Sequence, residues 1–178
     1  MAFRISSFDP ALHERADFDS GVASIDNYLI LTAKKQQNAD MVRVRVLTSE
    51  ESNRVLGFYV LNAHSIDAGD LPDEIGRKAP QHRRVPAAYV SMIGVDLSMQ
   101  GKGLGHMLLS NALRQILQAA DLVATAVIVL DILDDGDVAA IGKRARYYSR
   151  FGFREFPAQK SRMYLPMALA RNLADELD

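Results

Sequence analysis

The sequence has no cysteine among its 178 residues. That absence excludes disulfide bonds, a thiolate nucleophile and zinc sites with sulfur ligands. No apolar run reaches the length of a membrane-spanning helix, and residues 1–4 lead into no apolar segment of the kind a secretory signal has. We therefore expect no membrane association, with the cytoplasm as the default location.

Net charge is also small, because 21 lysines and arginines face 22 acidic residues for a formal net charge of −1. This balance is not typical of a nucleic-acid binder, although it is compatible with a local basic patch. The four histidines are scattered without the spacing of metal ligands, so we interpret them as structural or solvated and expect no metal. With 48% hydrophobic residues, the length predicts one domain over residues 1–178 with a substantial core.

The most informative stretch is the glycine-rich segment at residues 99–105, Met-Gln-Gly-Lys-Gly-Leu-Gly. It separates an apolar, strand-like segment at 87–97 from a helical pattern at 106–120. Glycines let the backbone approach a ligand and adopt positive φ. The first amides of the following helix lack intrahelical partners, and the helix dipole favours an anion there. The segment thus predicts a loop around a phosphorylated cofactor; a glycine turn without a ligand is the simpler alternative.

The pattern of this loop narrows the choice of cofactor. It lacks the Gly-Lys-Ser/Thr of a phosphate-binding P-loop, and His106 stands where a dinucleotide fingerprint needs its third glycine. It fits Gln/Arg-x-x-Gly-x-Gly/Ala through Gln100, Gly103 and Gly105. In this the segment resembles the acetyl-coenzyme A pyrophosphate loop of the Gcn5-related N-acetyltransferases (GNATs).

The rest of the chain follows the order of elements found in that superfamily. After the loop come a strand at 126–131, a helix with Tyr147 and Tyr148, and a Gly-Phe strand at 151–153. The resemblance implies an α/β GNAT fold, a mixed sheet of six to seven strands with helices on both faces, splayed at the central strand. Hydrophobic periodicity predicts further strands at 3–8, 42–48, 55–62, 122–132, 151–156 and 161–165. It predicts helices at 22–37, 138–150 and 168–177, and Ser20 is the expected N-cap of the first of these helices. Residues 67–86 are expected to form an irregular basic stretch.

Other segments are similar to the toxin-type GNATs, the partners of ribbon-helix-helix antitoxins. They are residues 18–21, 25–29, 57–62, 71–72, 83–86 and 93–96. Members of that group acetylate the free α-amine of an aminoacyl-tRNA, and many are homodimers. The resemblance therefore implies this activity, acetyl-CoA as cofactor and an antitoxin partner. The chain departs from the group at Ser20, where cysteine is common, at Met92, where arginine is usual, and in a longer segment at 133–144.

The resemblance also implies roles for individual residues. The candidates for cofactor binding are Ile93, Gly94, Val95, Gln100, Gly101, Lys102, Gly103, Leu104 and Gly105. The main chain of 93–95 would pair with pantetheine, a backbone amide around Ile93 would stabilise the oxyanion, and the amides of 101–105 would hold the pyrophosphate. Gln100 would add a side-chain donor and Lys102 a charge.

Two questions of acid–base chemistry follow. Tyr148 aligns with the general-acid tyrosine of the family and would protonate the leaving thiolate, with Tyr147 in the core, although the two roles could be exchanged. For the base, Asp96 and Asp131 are the nearest acidic residues in the chain, but residues in such positions commonly cap strand ends and loops. A water molecule is the alternative base, because an α-amine is less basic than a lysine side chain.

Three functions remain open at this point. A toxin-type aminoacyl-tRNA N-acetyltransferase predicts one joint basic surface, whereas a small-molecule or peptide N-acetyltransferase predicts a closed pocket of mixed polarity. The third is a non-catalytic coenzyme A-binding module that acts through a protein partner. The basic surface would comprise Lys34, Lys35, Arg43, Arg45, Arg77, Lys78, Arg83, Arg84, Arg144, Arg146 and Arg150.

Overall fold

A computed structural model describes residues 2–175 of the chain, which divides into two compact units. The first unit comprises residues 1–62 and 90–113, and the second comprises residues 63–89 and 114–178. The predicted span of 1–178 and the predicted C-terminal helix to residue 177 both extend outside the described residues. No helix in the described part is both long and apolar enough to cross a membrane.

Seven strands form one mixed sheet in the order β1-β2-β3-β4-β5-β7-β6. They are β1 (Phe3–Ser7), β2 (Arg43–Ser49), β3 (Gly57–Asp67), β4 (Arg84–Val95), β5 (Val127–Asp131), β6 (Arg154–Glu155) and β7 (Arg162–Pro166). The α-helices are α1 (Ala23–Asn27), α2 (Ala33–Asn38), α3 (Asp73–Gly76), α4 (Leu104–Ala120), α5 (Val138–Ser149) and α6 (Met167–Asp175). This architecture confirms the predicted mixed α/β fold.

The first unit builds its core where α1 and α2 pack on the sheet. A π-helical turn, Tyr28–Thr32, joins the two helices, so the single helix predicted over 22–37 is interrupted. Leu29 and Ala33 are fully buried, and the Tyr28 ring stacks on Phe58 with 6.5 Å between centroids. Single π-turns inside helices occur frequently at functional sites. Periodicity did not reveal this turn, because the apolar residues around it keep spacings of three to four along the sequence.

The predicted role of Ser20 as N-cap is wrong. Helix α1 begins at Ala23 with Val22 in the cap position, and no side chain caps it. Ser20 instead donates from its hydroxyl and its amide to Asp26 Oδ1, over 2.6 and 2.8 Å. The carboxylate in the first turn thus fixes the preceding loop from inside the helix, where the dipole favours a negative charge.

The second unit corrects the prediction for residues 67–86. Strand β3 runs on to Asp67, a 3-10 turn and α3 follow, and β4 already begins at Arg84. The reason is burial, because Ile66 and Leu71 lie in the core of this unit and are each 4% exposed. Glycine, proline and charge in this stretch suggested a loop, but the apolar residues between them are spaced to fill the core.

Close packing at Gly94 leads to a stability prediction within the first unit. A Cβ atom there would lie 2.8 Å from Ile25 Cγ2 and 3.0 Å from Phe58 Cε1. We expect Gly94→Ala to lower the free energy of unfolding by about 1–3 kcal/mol, because the core is overpacked. Thermal unfolding followed by circular dichroism measures the change.

A helical glycine provides the control for that substitution. A Cβ at Gly142 in α5 would meet only Arg146 Nη1, at 3.4 Å. Gly142→Ala is expected to raise the free energy of unfolding by roughly 0.5–1 kcal/mol through helix propensity. Equal stability of the two variants would contradict the packing described at Gly94.

Candidate active site

At the end of β4, the candidate functional groups belong to the main chain and not to the side chains. Ile93 and Val95 pack their side chains against the cluster of Leu104 and Leu108, as expected for ordinary core residues. Gly94 is buried against Ile25 on the other face of the strand. The main-chain groups of residues 93–95 are therefore the functional candidates on this strand, and their pairing with pantetheine remains a prediction.

The glycine loop is a row of unpaired amides. Gly101 and Gly103 have φ of +76° and +83°, and a Cβ at either would meet no atom within 4 Å. Within residues 2–175, the backbone amides of 101–105 donate no hydrogen bond. Helix α4 begins at Leu104, so its positive dipole end adjoins these amides. The loop has the open space, donors and field that a pyrophosphate requires.

Side chains of the loop hold its conformation. The Gln100 amide donates from Nε2 to Ser20 O and Val95 O, both over 3.0 Å. Both amide hydrogens are thus engaged, and the predicted side-chain donation from Gln100 to a pyrophosphate is not available in this arrangement. Lys102 Nζ donates to Ser98 O over 3.0 Å and remains exposed at the loop. Gln100 consequently positions the amide row, and the role of Lys102 as a positive charge for the pyrophosphate remains a prediction.

Asp96 directly follows the last residue of β4 and precedes the glycine loop. Its carboxylate is only 4% exposed and accepts from the Ser98 hydroxyl (2.5 Å), the Ser98 amide (3.0 Å) and the Asp19 amide (3.4 Å), with Arg54 at 3.4 Å. Burial raises the pKa of Asp96, but these four donors outweigh it and the pKa lies below 3.8. Asp96 is therefore a fixed, capping anion rather than a general base, as its strand-end position suggested.

The depressed pKa of Asp96 predicts how stability depends on pH. Because the folded pKa lies below the ordinary 3.8, the stabilisation is complete above about pH 4 and is lost as pH falls through the folded pKa. Asp96→Asn is expected to lower stability at pH 7 by about 1–3 kcal/mol and to weaken the acid dependence. Melting temperatures between pH 3 and 7 test this. The exposed Asp17→Asn variant should stay within about 0.5 kcal/mol of wild type.

The second unit contains the tyrosine pair at the end of α5. Tyr148 is half-buried, its ring lies edge-on to Phe153 at 6.2 Å, and its hydroxyl makes no hydrogen bond to any described residue. Burial, aided by Tyr147, raises the pKa of Tyr148 to about 12 although Arg144 opposes the shift. The phenol is therefore protonated at neutral pH and free to donate. The Tyr147 hydroxyl is fully buried without a partner among the described residues.

The other acidic candidate, Asp131, is also engaged. It accepts from the Tyr89 hydroxyl over 2.6 Å and from Arg162 over 2.7 and 3.0 Å, all within the second unit. Burial raises the pKa of Asp131, but Arg162 and Tyr89 outweigh it and the pKa falls below 3.8. Neither of the two predicted acids is available as a base near neutral pH.

Comparison with known proteins decides the family. No family model matches the chain. It is 42% identical over 169 residues to a probable toxin TacT of Sinorhizobium fredii, covering 95% of this chain and 93% of that protein. It is 32% identical over 172 residues to a tRNA-acetylating toxin of Mycobacterium tuberculosis, covering 96% and 93% respectively. The chain belongs to the toxin-type GNAT acetyltransferases.

Solved structures show the fold of this toxin-type GNAT along almost its whole length. A KacT variant with phenylalanine in place of a tyrosine has a TM-score of 0.85 at 22% identity, over 97% of this chain and 99% of that one. AtaT complexed with acetyl-methionyl-tRNAfMet gives 0.84 at 20% identity, with the same coverage. An AtaT variant bound to acetyl-CoA and the C-terminus of antitoxin AtaR gives 0.79 at 18%, over 98% and 99%.

The basic residues expected to form one surface are distributed over both units of this toxin-type GNAT. Four lie in the first unit and seven in the second. Three are neutralised by nearby carboxylates, in the pairs Arg43–Asp40, Arg77–Asp73 and Arg144–Asp135. Lys34 and Lys35 on α2 are exposed and have no acidic partner in the described part of the chain. These two lysines are the clearest basic feature of the first unit.

Proposed function

We propose that this toxin-type GNAT transfers the acetyl group of acetyl-CoA to the α-amine of an aminoacyl-tRNA. The observation that carries the proposal is the row of unpaired amides at 101–105, in a chain that is similar over nearly its full length to a tRNA-acetylating toxin. Acetyl-CoA supplies an activated thioester carbonyl. The proposal treats residues 1–178 as one acetyltransferase domain and places the reaction in the cytoplasm.

The residues of the loop fit the cofactor. Open space above Gly101 and Gly103 lets a diphosphate reach the amides, and Lys102 adds a positive charge. The main chain of Ile93, Gly94 and Val95 would hold the pantetheine arm in extended form, and the Ile93 amide would donate to the carbonyl oxygen as negative charge develops. With both hydrogens of its side-chain amide engaged, Gln100 would hold the loop rather than bind phosphate directly.

Tyr148 is proposed as the general acid. Its Oη would donate a proton to the sulfur as the C–S bond breaks, and it would regain one from solvent. Two observations favour Tyr148 over Tyr147. Tyr148 Oη is protonated with no competing acceptor among the described residues, whereas the Tyr147 hydroxyl is fully buried.

The partners follow from the same proposal. Relatives in this fold are solved with an antitoxin bound, so a ribbon-helix-helix antitoxin is proposed as the protein partner, and a homodimer as the assembly. The exposed Lys34 and Lys35 would contribute to attraction of the tRNA backbone.

Acetyl transfer from labelled acetyl-CoA to a pool of charged tRNAs tests this function. A panel of free amines and peptides is assayed in parallel, and deacylated tRNA serves as the control because it has no α-amine. We expect label on charged tRNA alone, and sequencing the labelled species would identify the amino acid. Label on small amines or peptides with tRNA unlabelled would contradict the proposal and assign this enzyme to metabolic or protein acetylation.

A further inference from the structure

A short segment ahead of α1 has no task in the proposed chemistry, although it lies against the residues that lead into the glycine loop. Both belong to the first unit. The Leu97 amide donates to Asp19 O over 2.8 Å, and the Gln100 side chain donates to Ser20 O over 3.0 Å. Residues 19–21, which we call the anchoring turn, therefore supply two main-chain acceptors to a segment about 80 residues later in the chain.

Packing and hydrogen bonds within the anchoring turn fix the peptide that carries Ser20 O. The same peptide unit carries the Gly21 amide, which donates to Asp19 Oδ1 over 2.8 Å. Gly21 has φ of +82°, and a Cβ atom there would lie 3.2 Å from Leu97 Cδ2. The glycine thus lets the turn pack closely on Leu97, while its amide holds the neighbouring carbonyl in its orientation.

Asp26, in the first turn of α1, fixes the other side of Ser20. Its Oδ1 accepts from the Ser20 amide over 2.8 Å and from the Ser20 hydroxyl over 2.6 Å. Ser20 is only 8% exposed, and a hydroxyl that donates to a carboxylate makes a strong hydrogen bond. Because both peptides that flank Ser20 are held, its carbonyl points in a fixed direction, and Asp26 supports that direction from the helix.

Gln100 connects the anchoring turn to the row of amides. Its side-chain nitrogen donates one hydrogen to Ser20 O and the other to the end of β4, each over 3.0 Å, and the next residue is Gly101. A Cβ atom at Gly101 would meet no atom of the described residues within 4 Å, so close packing does not hold this glycine. Hydrogen bonds from the Gln100 and Lys102 side chains hold the loop instead.

We propose that Asp26 is a positioning residue for the cofactor loop. It acts through Ser20 and Gln100, and it holds the amides of 101–105 in the arrangement that receives the pyrophosphate. The inference rests on the proposed function, because that function assigns the loop to acetyl-CoA. Donors that are already in place lose little conformational freedom when the ligand binds, which favours affinity. Removing the Asp26 carboxylate releases Ser20, and the cost should appear as weaker acetyl-CoA binding.

Calorimetric titration with acetyl-CoA tests the assignment in wild type and three variants. Asp26→Ala removes the accepting oxygen and should weaken binding about tenfold. Asp26→Asn keeps one accepting oxygen and should bind within about twofold of wild type, because both bonds from Ser20 go to Oδ1. Ser20→Ala loses only the hydroxyl bond and should lie between these two. Wild-type affinity in Asp26→Ala, or an equal loss in Asp26→Asn, would overturn the proposal.

Gln37 provides a matched control in the same unit. Its side chain donates to Phe8 O over 2.8 Å and accepts from the Val44 amide over 3.1 Å, so it also joins separate segments through their main chain. Gln37→Leu should lower the melting temperature, as Asp26→Ala does, but should bind acetyl-CoA normally. A loss of affinity in both variants in proportion to their loss of stability would contradict a positioning role for Asp26.

A double-mutant cycle tests the path through Gln100. Gln100→Leu should weaken acetyl-CoA binding by at least as much as Asp26→Ala does. Because Asp26 acts through Gln100, the double variant should bind no more weakly than Gln100→Leu alone. Losses that multiply in the double variant would show that the two residues act independently and would overturn the proposed path.

NMR without cofactor separates this inference from the proposed function. Labelling with ¹⁵N-glycine limits the spectrum to the amides of eleven glycines. Asp26→Ala should shift the Gly101 and Gly103 signals, Asp26→Asn should restore them, and Gly136 in the second unit should stay unchanged in both. Unchanged Gly101 and Gly103 signals in Asp26→Ala would refute only the positioning role. Failure of wild type to bind acetyl-CoA would refute the proposed function instead, whatever the spectra show.

Discussion

Replacing Tyr148 with phenylalanine is expected to reduce kcat by about 10²-fold or more, with acetyl-CoA affinity unchanged. The phenol is the proposed proton donor to sulfur, and phenylalanine keeps the ring that lies edge-on to Phe153. Because burial raises the pKa of Tyr148 to about 12, wild type should show no alkaline decline from this group up to about pH 10. Single-turnover acetyl transfer between pH 6 and 10, with calorimetry of acetyl-CoA binding, measures both effects.

Tyr147→Phe is the matched control for this substitution. Its hydroxyl is buried without a partner, so removing it should change kcat little and should slightly stabilise the fold. If Tyr147→Phe were the slow variant and Tyr148→Phe were normal, the two tyrosines would exchange the roles assigned to them. Full activity in both would exclude a tyrosine acid.

Gly103→Ala is expected to weaken acetyl-CoA binding by at least tenfold while costing about 1–2 kcal/mol of stability. The stability cost comes from φ of +83°, which an L-residue adopts only with strain. The affinity loss has a different cause, because the new methyl group occupies the open space above the amide row. Calorimetric titration with acetyl-CoA and thermal unfolding give the two quantities separately.

The chain offers a control with the same backbone strain. Gly136, ahead of α5, has φ of +81°, and a Cβ there would also meet no atom within 4 Å. Gly136→Ala should therefore lose a similar amount of stability and bind acetyl-CoA normally. If both variants lost affinity equally, the loss would reflect general destabilisation, and the glycine loop would not be the phosphate site.

The sequence predicted the glycine loop and α4 well because both depend on local properties. Positive φ at Gly101 and Gly103 and the amphipathic repeat of α4 follow from residue type and spacing within a few turns. The strand-end role of Asp96 could be anticipated for the same reason, since its main donor, Ser98, is two residues away. Features that depend on residues close together in the chain can be predicted from one sequence without knowledge of the fold.

Other features of the site depend on residues distant in the chain. Gln100 was expected to bind phosphate, but its amide is engaged by carbonyls that include Ser20, 80 residues earlier. Asp131 could be noted only as an acid near a strand end, because Tyr89 and Arg162 reach it through strand pairing. No spacing rule connects β4, β5 and β7, so this network was not predictable.

The division of the chain has a consequence for its maturation on the ribosome. Neither unit is continuous in sequence, because residues 63–89 of the second unit lie between the two segments of the first. The first unit ends at residue 113, whereas the second includes elements as late as β7. All residues of the first unit, including its glycine loop, are therefore synthesised before α5 and the tyrosine pair. A nascent chain would then acquire the cofactor loop long before the proposed general acid. The acetyltransferase would then stay inert until the segment that carries the proposed general acid has been synthesised.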